Sequence, residues 1–190
     1  IAVTTNNRPK YLYITLDALF KAKGIEKHDV SVYFEPLTDE IKKEYYELLS
    51  DFPLYSLTFH KKKIGLLYQI LYAFDDIFQR GYDEALFLAD DHLILSSSLE
   101  YLELIPRNSF FYVLRKVEGE QCIPYAIGAG MGGMLLSKDS FYWLKKIIDA
   151  KTYRGLEWRG HEMLVYESEV GQDKPEFFAV DGIIDGIAYF

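Results

Sequence analysis

The stretch that decides the fold is residues 83–95, DEALFLADDHLIL, in which an apolar run ends abruptly in two acids and a histidine. A run of about five apolar residues that follows a Gly-Tyr-Asp break indicates a strand buried on both faces. Burying Asp90, Asp91 and His92 within such a strand would cost several kcal/mol without partners. We therefore expect these three side chains to lie where the strand ends, facing a cleft.

Asp90 and His92 are expected to share one side of the extended chain, with Asp91 on the other, because alternate side chains of a strand point the same way. Acid and imidazole groups at this spacing suit one divalent cation, and this ligand set favours Mn²⁺ or Mg²⁺. The alternative is a turn with solvated acids that cap the following segment. The buried residues on both sides favour the metal site.

Length, composition and charge restrict the class of protein. With 190 residues and 49% hydrophobic content, the chain is expected to form one domain with a full core. Its net charge of −8 argues against nucleic acid as the main partner. No apolar run approaches the roughly 18 residues that span a bilayer, nothing resembles a signal peptide, and the single cysteine, Cys122, fits a reducing compartment. A cytoplasmic protein is therefore expected.

Strand and helix patterns alternate through the first half of the chain. Strands are predicted at 1–5, 30–34, 55–59 and 85–89, with helices after each of the first three. This order predicts an α/β fold with a mixed, mostly parallel sheet and helices on both faces. Ligands of such sheets bind at the carboxyl ends of the strands, so four loops should meet there: 5–8, Glu35, 60–63 and 90–92.

The second half of the chain is less regular. A strand is predicted at 110–117, and a helix at 137–150 follows a segment with four glycines, 127–136. These glycines indicate backbone passing close to a ligand or another chain, with a tight turn as the alternative. Another helix is predicted to start at 161–162, and closing strands are predicted at 177–180 and 183–190.

Four further side chains are candidates for chemistry. Lys63 and Arg8 each precede a helix at the expected ligand edge, where a cation and a helix N-terminus suit a diphosphate; a solvated surface residue is the alternative for both. Glu162, or else His161, could accept a proton from a hydroxyl group. The alternatives are that Glu162 complements a helix dipole and that His161 is a partly buried structural residue.

Taken in order, these motifs resemble the GT-A glycosyltransferases, and most closely the branch that contains N-acetylglucosaminyltransferase I. The resemblance covers most of the chain and rests on IAVTTNNRP at 1–9, LADDH at 88–92, MGGMLL at 131–136 and GHE at 160–162. It implies a single GT-A domain, 1–190, with a nucleotide-binding half at 1–105 and an acceptor and donor-sugar half at 106–190. The metal motif departs from the family pattern in ending with histidine, and Gly133 stands where the family often has tryptophan.

The resemblance implies a role for each candidate position. The nucleotide would be bound by residues on the first two strands and by neighbouring groups: Thr4, Thr5, Arg8, Glu35, Lys63 and Asp91. Glu35 would accept a hydrogen bond from the base, for which uracil is favoured. The metal would be held by Asp90 and His92, with Asp91 reaching the ribose or the metal shell. The donor sugar would lie against Gly132 and Gly133, and Glu162 would act as general base.

The implied function is a metal-dependent glycosyltransferase, either a hexosyl- or an N-acetylhexosaminyltransferase. It would move a sugar from a nucleotide diphosphate sugar, with a UDP-sugar favoured, to a hydroxyl of a carbohydrate or other acceptor, with inversion at the anomeric carbon. One alternative is a non-catalytic carbohydrate- or protein-binding domain with the same fold. Another is a sugar nucleotidyltransferase, although the glycine-rich loop usual after its first strand is missing from 5–9.

Overall fold

The structure is a computed structural model that describes residues 1–104, 111–113, 133–147, 163–166 and 176–179. The chain divides into two compact units. The first consists of Ile1–Ile64 and Leu86–Ser109, and the second of Gly65–Ala85 and Phe110–Phe190. The division into a nucleotide-binding half and an acceptor half at residue 105 stays a prediction.

The first unit is built on four parallel strands. They are β1 (Ala2–Thr5), β2 (Ser31–Phe34), β3 (Ser56–Phe59) and β4 (Glu84–Ala89), of which β4 enters this unit at Leu86. The strands lie in the order β3-β2-β1-β4, so the first and last in sequence are neighbours. In the register of this sheet Val3 pairs with both Val32 and Leu88, and the carboxyl ends of β1, β2 and β4 are therefore adjacent.

Two helices of this unit begin where local chemistry favours a start. Helix α1 (Pro9–Phe20) has proline in its first turn, where the missing N–H costs nothing. Helix α2 (Asp39–Leu49) follows Thr38, whose hydroxyl accepts a hydrogen bond from the Ile41 N–H at 3.4 Å. A single 3₁₀ turn precedes β2, and α4 (Ser98–Leu104) follows β4. Helices α1 and α2 contact each other.

The described residues of the second unit form two antiparallel strand pairs and two helices. Strand β5 (Phe111–Val113) pairs with β6 (Met134–Ser137), and β7 (Met163–Tyr166) pairs with β8 (Glu176–Ala179). Helix α5 (Lys138–Ile147) contacts both β6 and α3 (Leu66–Gln79). An aromatic cluster joins the two helices, with the ring centroid of Phe141 lying 5.8 Å from that of Phe74 and 5.3 Å from that of Phe78.

The prediction of a mixed, mostly parallel α/β fold is confirmed. The four strands of the first half lie within one residue of their predicted bounds, and a helix follows each of the first three as predicted. Ser137 also caps α5 as expected, because its hydroxyl accepts from the Ser140 N–H at 3.2 Å. Within the described segments, no helix is both long and apolar enough to cross a membrane.

The prediction of a helix starting at 161–162 is wrong. The next four residues, Met163–Tyr166, form strand β7, whose hydrogen bonds are supplied by Glu176–Ala179. The apolar, β-branched and aromatic side chains of this run suit a pleated surface. Its antiparallel partner decides between strand and helix, and that partner lies ten residues further along. The predicted strand at 183–190 lies outside the described residues.

The packing of the first unit predicts a large effect for Phe34. This side chain is fully buried, stacks on Phe59 at 4.4 Å and meets Tyr45 edge to face at 4.9 Å. Phe34→Ala should lower the free energy of unfolding by about 3–5 kcal/mol, because it removes these contacts and leaves a cavity. Ile14→Ala on the exposed face of α1 is the control and should change it by less than about 0.5 kcal/mol. Equal effects of both changes in denaturant unfolding would contradict the described core.

Candidate functional site

The site is centred on residues 90–92, which we call the acidic turn. Strand β4 ends at Ala89, and the N–H of His92 donates back to the Ala89 carbonyl at 3.1 Å, which closes a tight turn. Asp90 opens this turn at the carboxyl edge of the sheet. Its side chain has 0% of its surface exposed. A carboxylate in that position requires hydrogen-bond donors from the protein.

The donors to the Asp90 carboxylate come from β1 and from the residue before α1. The Thr5 hydroxyl donates to Oδ2 at 2.5 Å. Arg8 donates to both oxygens, from Nε to Oδ2 at 3.2 Å and from its second terminal nitrogen to Oδ1. Such a bidentate contact is among the stronger pairings of charged side chains in proteins. The resemblance implied that Thr5 and Arg8 bind the nucleotide. In the structure both donate to the acidic turn.

A further contact fixes the backbone of the acidic turn. The hydroxyl of Thr15 donates to the main-chain carbonyl of Asp90 at 2.7 Å. Thr15 lies in the buried stripe of α1 among Leu12, Leu16 and Leu19. It was not among the predicted site residues, although a polar side chain within an apolar helical stripe was a usable signal. Because of this bond, the position of α1 and the position of the turn depend on each other.

The arrangement of Asp91 and His92 differs from the expected alternation. Arg8 also donates to Oδ2 of Asp91 at 2.9 Å, and Nε2 of His92 lies 3.8 Å from Oδ1 of the same carboxylate. Both acids therefore face the same guanidinium group. The prediction that Asp91 points away from its neighbours is wrong, because the backbone stops being extended at Ala89 and turns.

Burial is the largest single influence on the pKa values of Asp90, Arg8 and His92. It raises the pKa of Asp90, while the Thr5 hydroxyl and Arg8 oppose that effect. For Arg8, burial lowers the pKa, but Asp90 and Asp91 together outweigh it and raise the pKa above its ordinary value. Burial lowers the pKa of His92, with the two acids opposing it. The imidazole is therefore neutral at neutral pH, and Arg8 carries the positive charge of the site.

The groups of the acidic turn do not fit a divalent ion in this arrangement. Both oxygens of Asp90 accept hydrogen bonds from Arg8. Nδ1 of His92 accepts the N–H of Ala89 at 3.1 Å, which uses the only ring lone pair of a neutral imidazole. Across the described part of the chain, no three His, Cys, Asp or Glu side chains form a group that could hold a metal ion. The metal role of Asp90, Asp91 and His92 stays a prediction.

Glu35 and Thr4 lie on the neighbouring strands of the same edge. Glu35 is 4% exposed, its N–H donates to the Thr5 carbonyl at 3.3 Å, and its carboxylate accepts from the Ile64 N–H at 3.2 Å. This last bond brings the chain after β3 back to the end of β2. Thr4 is buried. Lys63, next to Ile64, is exposed. The structure thus brings the backbones of Glu35 and Thr5 together at this edge.

The remaining predicted site residues fall mainly outside the described part of the chain. Gly132, His161 and Glu162 are among them. Gly133 directly precedes β6 and has φ 138°, a conformation that favours glycine. This backbone conformation gives a physical reason for glycine at a position where the family of the resemblance often has tryptophan.

Several solved structures of glycosyltransferases of the GT-A type share this fold. The mannosyltransferase PcManGT from Pyrobaculum calidifontis, in complex with GDP-Man and Mn²⁺, matches 75% of this chain with a TM-score of 0.55 and 13% identity. Residues 1–349 of TarS from S. aureus match 99% with a TM-score of 0.59 and 15% identity. The same TarS segment in complex with UDP matches 81% with a TM-score of 0.52 and 17% identity.

At this level of identity the likeness extends to the fold alone. The chain spans about half the length of these solved structures, between 45% and 54%. No protein-family model matches the chain. No curated protein sequence matches it either. The fold of the chain is accordingly that of the GT-A glycosyltransferases.

The Thr15 contact predicts a measurable role in stability. Thr15→Val keeps the shape of the side chain but leaves the Asp90 carbonyl without its buried donor. The free energy of unfolding should fall by about 1–3 kcal/mol. Thr15→Ser, which retains the hydroxyl, is the matched control and should recover most of that loss. Denaturant titration measures both, and a valine variant as stable as the original protein would show that the bond contributes nothing.

Three partly buried histidines predict how stability depends on pH. Burial lowers the pKa of His28 and His60 as well as that of His92. These groups stay neutral in the folded protein and take up protons in the unfolded chain, so stability falls as pH drops below the ordinary histidine value of about 6.5. The free energy of unfolding should decrease between about pH 7.5 and 5.5, and His28→Gln with His60→Gln should flatten this slope. An unchanged slope in the double variant would contradict the assignment.

Proposed function

We propose that this chain is part of a glycosyltransferase that moves a sugar from a nucleotide diphosphate sugar to an acceptor hydroxyl. The observation that carries this proposal is the group of polar side chains at the carboxyl edge of β1, β2 and β4. There Thr5 and Arg8 bind the acidic turn, and Glu35 lies beside Thr5. Ligands of open α/β sheets bind at this edge. Support also comes from the fold, since structures that share it contain GDP-Man or UDP.

The nucleotide is proposed to lie along β1 and β2, with UDP as the favoured donor nucleotide. Thr4, Thr5, Arg8 and Lys63 are its proposed contacts, as is Asp91. The Glu35 carboxylate, which accepts the Ile64 N–H, is also the proposed acceptor for an N–H of the base. Because uracil and guanine both present such a group, this contact suits either base.

The proposed chemistry is a direct displacement. Glu162, with His161 as the alternative, accepts the proton of the acceptor hydroxyl. The acceptor oxygen then bonds to the anomeric carbon while the bond from that carbon to the diphosphate oxygen breaks, which inverts the anomeric centre. The backbone at Gly132 and Gly133 is proposed to lie beside the donor sugar. Hexosyl or N-acetylhexosaminyl specificity and a place near the N-acetylglucosaminyltransferase I branch belong to the same proposal.

The family resemblance and the Mn²⁺ of the PcManGT complex both suggest a divalent ion, Mn²⁺ or Mg²⁺. The ion would supply Lewis-acid stabilisation of the departing diphosphate. The described hydrogen bonds of Asp90 and His92 do not leave a ligand set for it. No step of the proposed displacement is therefore assigned to a metal.

A non-catalytic domain with this fold is the second candidate. The observation that favours it is that Arg8 donates to both Asp90 and Asp91, because a turn with a purely structural role would make the same contacts. A sugar nucleotidyltransferase has less support. The loop at 5–8, between β1 and α1, contains no glycine, and its one residue with positive φ is Asn7. Binding and turnover distinguish these functions.

Thermal unfolding in the presence of nucleotides tests the proposed function. UDP, GDP and their sugar conjugates would be screened separately, with Mn²⁺ and with chelator. A cognate nucleotide at about one hundred times its Kd should stabilise the fold by about 2.7 kcal/mol. Failure of every nucleotide and nucleotide sugar under both conditions would overturn the proposal.

Turnover of the cognate donor tests the general base. Glu162→Gln should lower the transfer rate by about 10²–10⁴-fold while nucleotide binding persists, because only the proton acceptor is lost. Glu157→Gln, an acid five positions earlier, is the control and should retain the rate. Normal turnover by the Glu162 variant would remove this residue from the mechanism. Binding without turnover by the original protein would favour the non-catalytic domain.

A further inference from the structure

Arg8 occupies the position between the two carboxylates of the acidic turn. Three N–H groups of its guanidinium donate to Asp90 and Asp91, two to the first acid and one to the second. The guanidinium is planar and permanently charged, and its fork matches carboxylate geometry. One fixed cation therefore already lies where two acids would otherwise attract a metal ion.

The ring of His92 is committed in a way that works against metal binding. Nδ1 accepts the backbone N–H of Ala89, so the ring proton of the neutral imidazole is on Nε2. Nε2, which bears this proton, lies 3.8 Å from Oδ1 of Asp91. A metal could take Nε2 only if the proton moved to Nδ1 and the bond to Ala89 broke.

The burial of Asp90 also opposes metal binding at the acidic turn. Its side chain is fully buried, and its two oxygens are covered by Thr5 and Arg8. Ligation of an ion would require the guanidinium to leave and the carboxylate to open toward solvent. The Thr15 bond to the Asp90 carbonyl holds the backbone against such a change.

We infer that Arg8, rather than a divalent ion, is the resident counter-cation of the acidic turn. A guanidinium has five N–H donors, and three are used on the two acids, so among the described residues two are left for an anionic oxygen. The side chain is 43% exposed, which leaves these donors within reach of a ligand. If the proposed function holds, the donor diphosphate binds at Arg8 without a metal at the acidic turn; this part of the inference rests on that function.

Binding of Mn²⁺ alone, measured by electron paramagnetic resonance, tests this inference without any nucleotide. The original protein should bind no more Mn²⁺ than Asp91→Asn does. Arg8→Met should bind it at least tenfold more tightly, and adding Asp91→Asn to that variant should remove the gain. Arg80→Met is the control, since Arg80, the residue after α3, pairs with Asp76 of that helix, and it should behave like the original protein.

Two results would overturn the inference. One is Mn²⁺ binding by the original protein that Asp91→Asn abolishes, which would establish a metal site despite Arg8. The other is an Arg8→Met variant that binds Mn²⁺ no more tightly than the original protein, which would show that Arg8 does not take the place of an ion.

A measurement on the original protein covers the case in which Arg8→Met fails to fold. The Nε–H resonance of Arg8 would be assigned by its loss in Arg8→Lys and followed during Mg²⁺ titration. It should stay in place up to about 10 mM, and a saturable shift would overturn the inference. UDP titration in chelator separates this question from the proposed function. If no nucleotide binds under any condition, the proposed function fails, while the metal titrations still decide the role of Arg8.

Discussion

Burial of the Asp90 carboxylate is the constraint on which the carboxyl edge of the sheet depends. A fully buried acid is tolerated only with close donors, because an unpaired charge in the interior is too costly. Its donors here are Thr5 at the end of β1 and Arg8 at the start of α1, and Thr15 holds its carbonyl from within α1. The strand, the helix and the acidic turn consequently determine one another's positions.

The order of the strands makes this network possible. β1 and β4 are neighbours although more than 75 residues separate them, with Thr4 paired to Ala89 in the register of the sheet. Their adjacency places residues from both ends of the first unit at one edge. The same edge serves ligand binding in open α/β sheets, so structure and proposed function compete for the same polar groups.

Local pattern was enough to predict the elements of the first half and the edge at which polar groups meet. Pro9 and Thr38 mark helix starts through their own backbone chemistry, and the apolar run of β4 marks a buried strand. The bonds at the site depend on which residues meet across the fold, and periodicity carries no such information. Alternation along β4 could not show that the chain turns at Asp90, and nothing local in 163–166 reveals its pairing with β8.

Charge balance at this edge bears on how an anionic ligand could be bound there. Asp90 and Asp91 share the single guanidinium of Arg8, which offsets only part of their charge, and Glu35 places a third acid at the end of β2. A metal ion bound there would add two charges but would leave with its ligand or exchange with solvent, whereas a guanidinium is always present. Further cations that the chain supplies on this side of the sheet include the exposed lysines at 61–63, which directly precede the Ile64 bond to Glu35 at the end of β2. A diphosphate held at this edge would therefore depend on Arg8 for fixed geometry, because its planar guanidinium is permanently charged, and on lysine ammonium groups for additional charge.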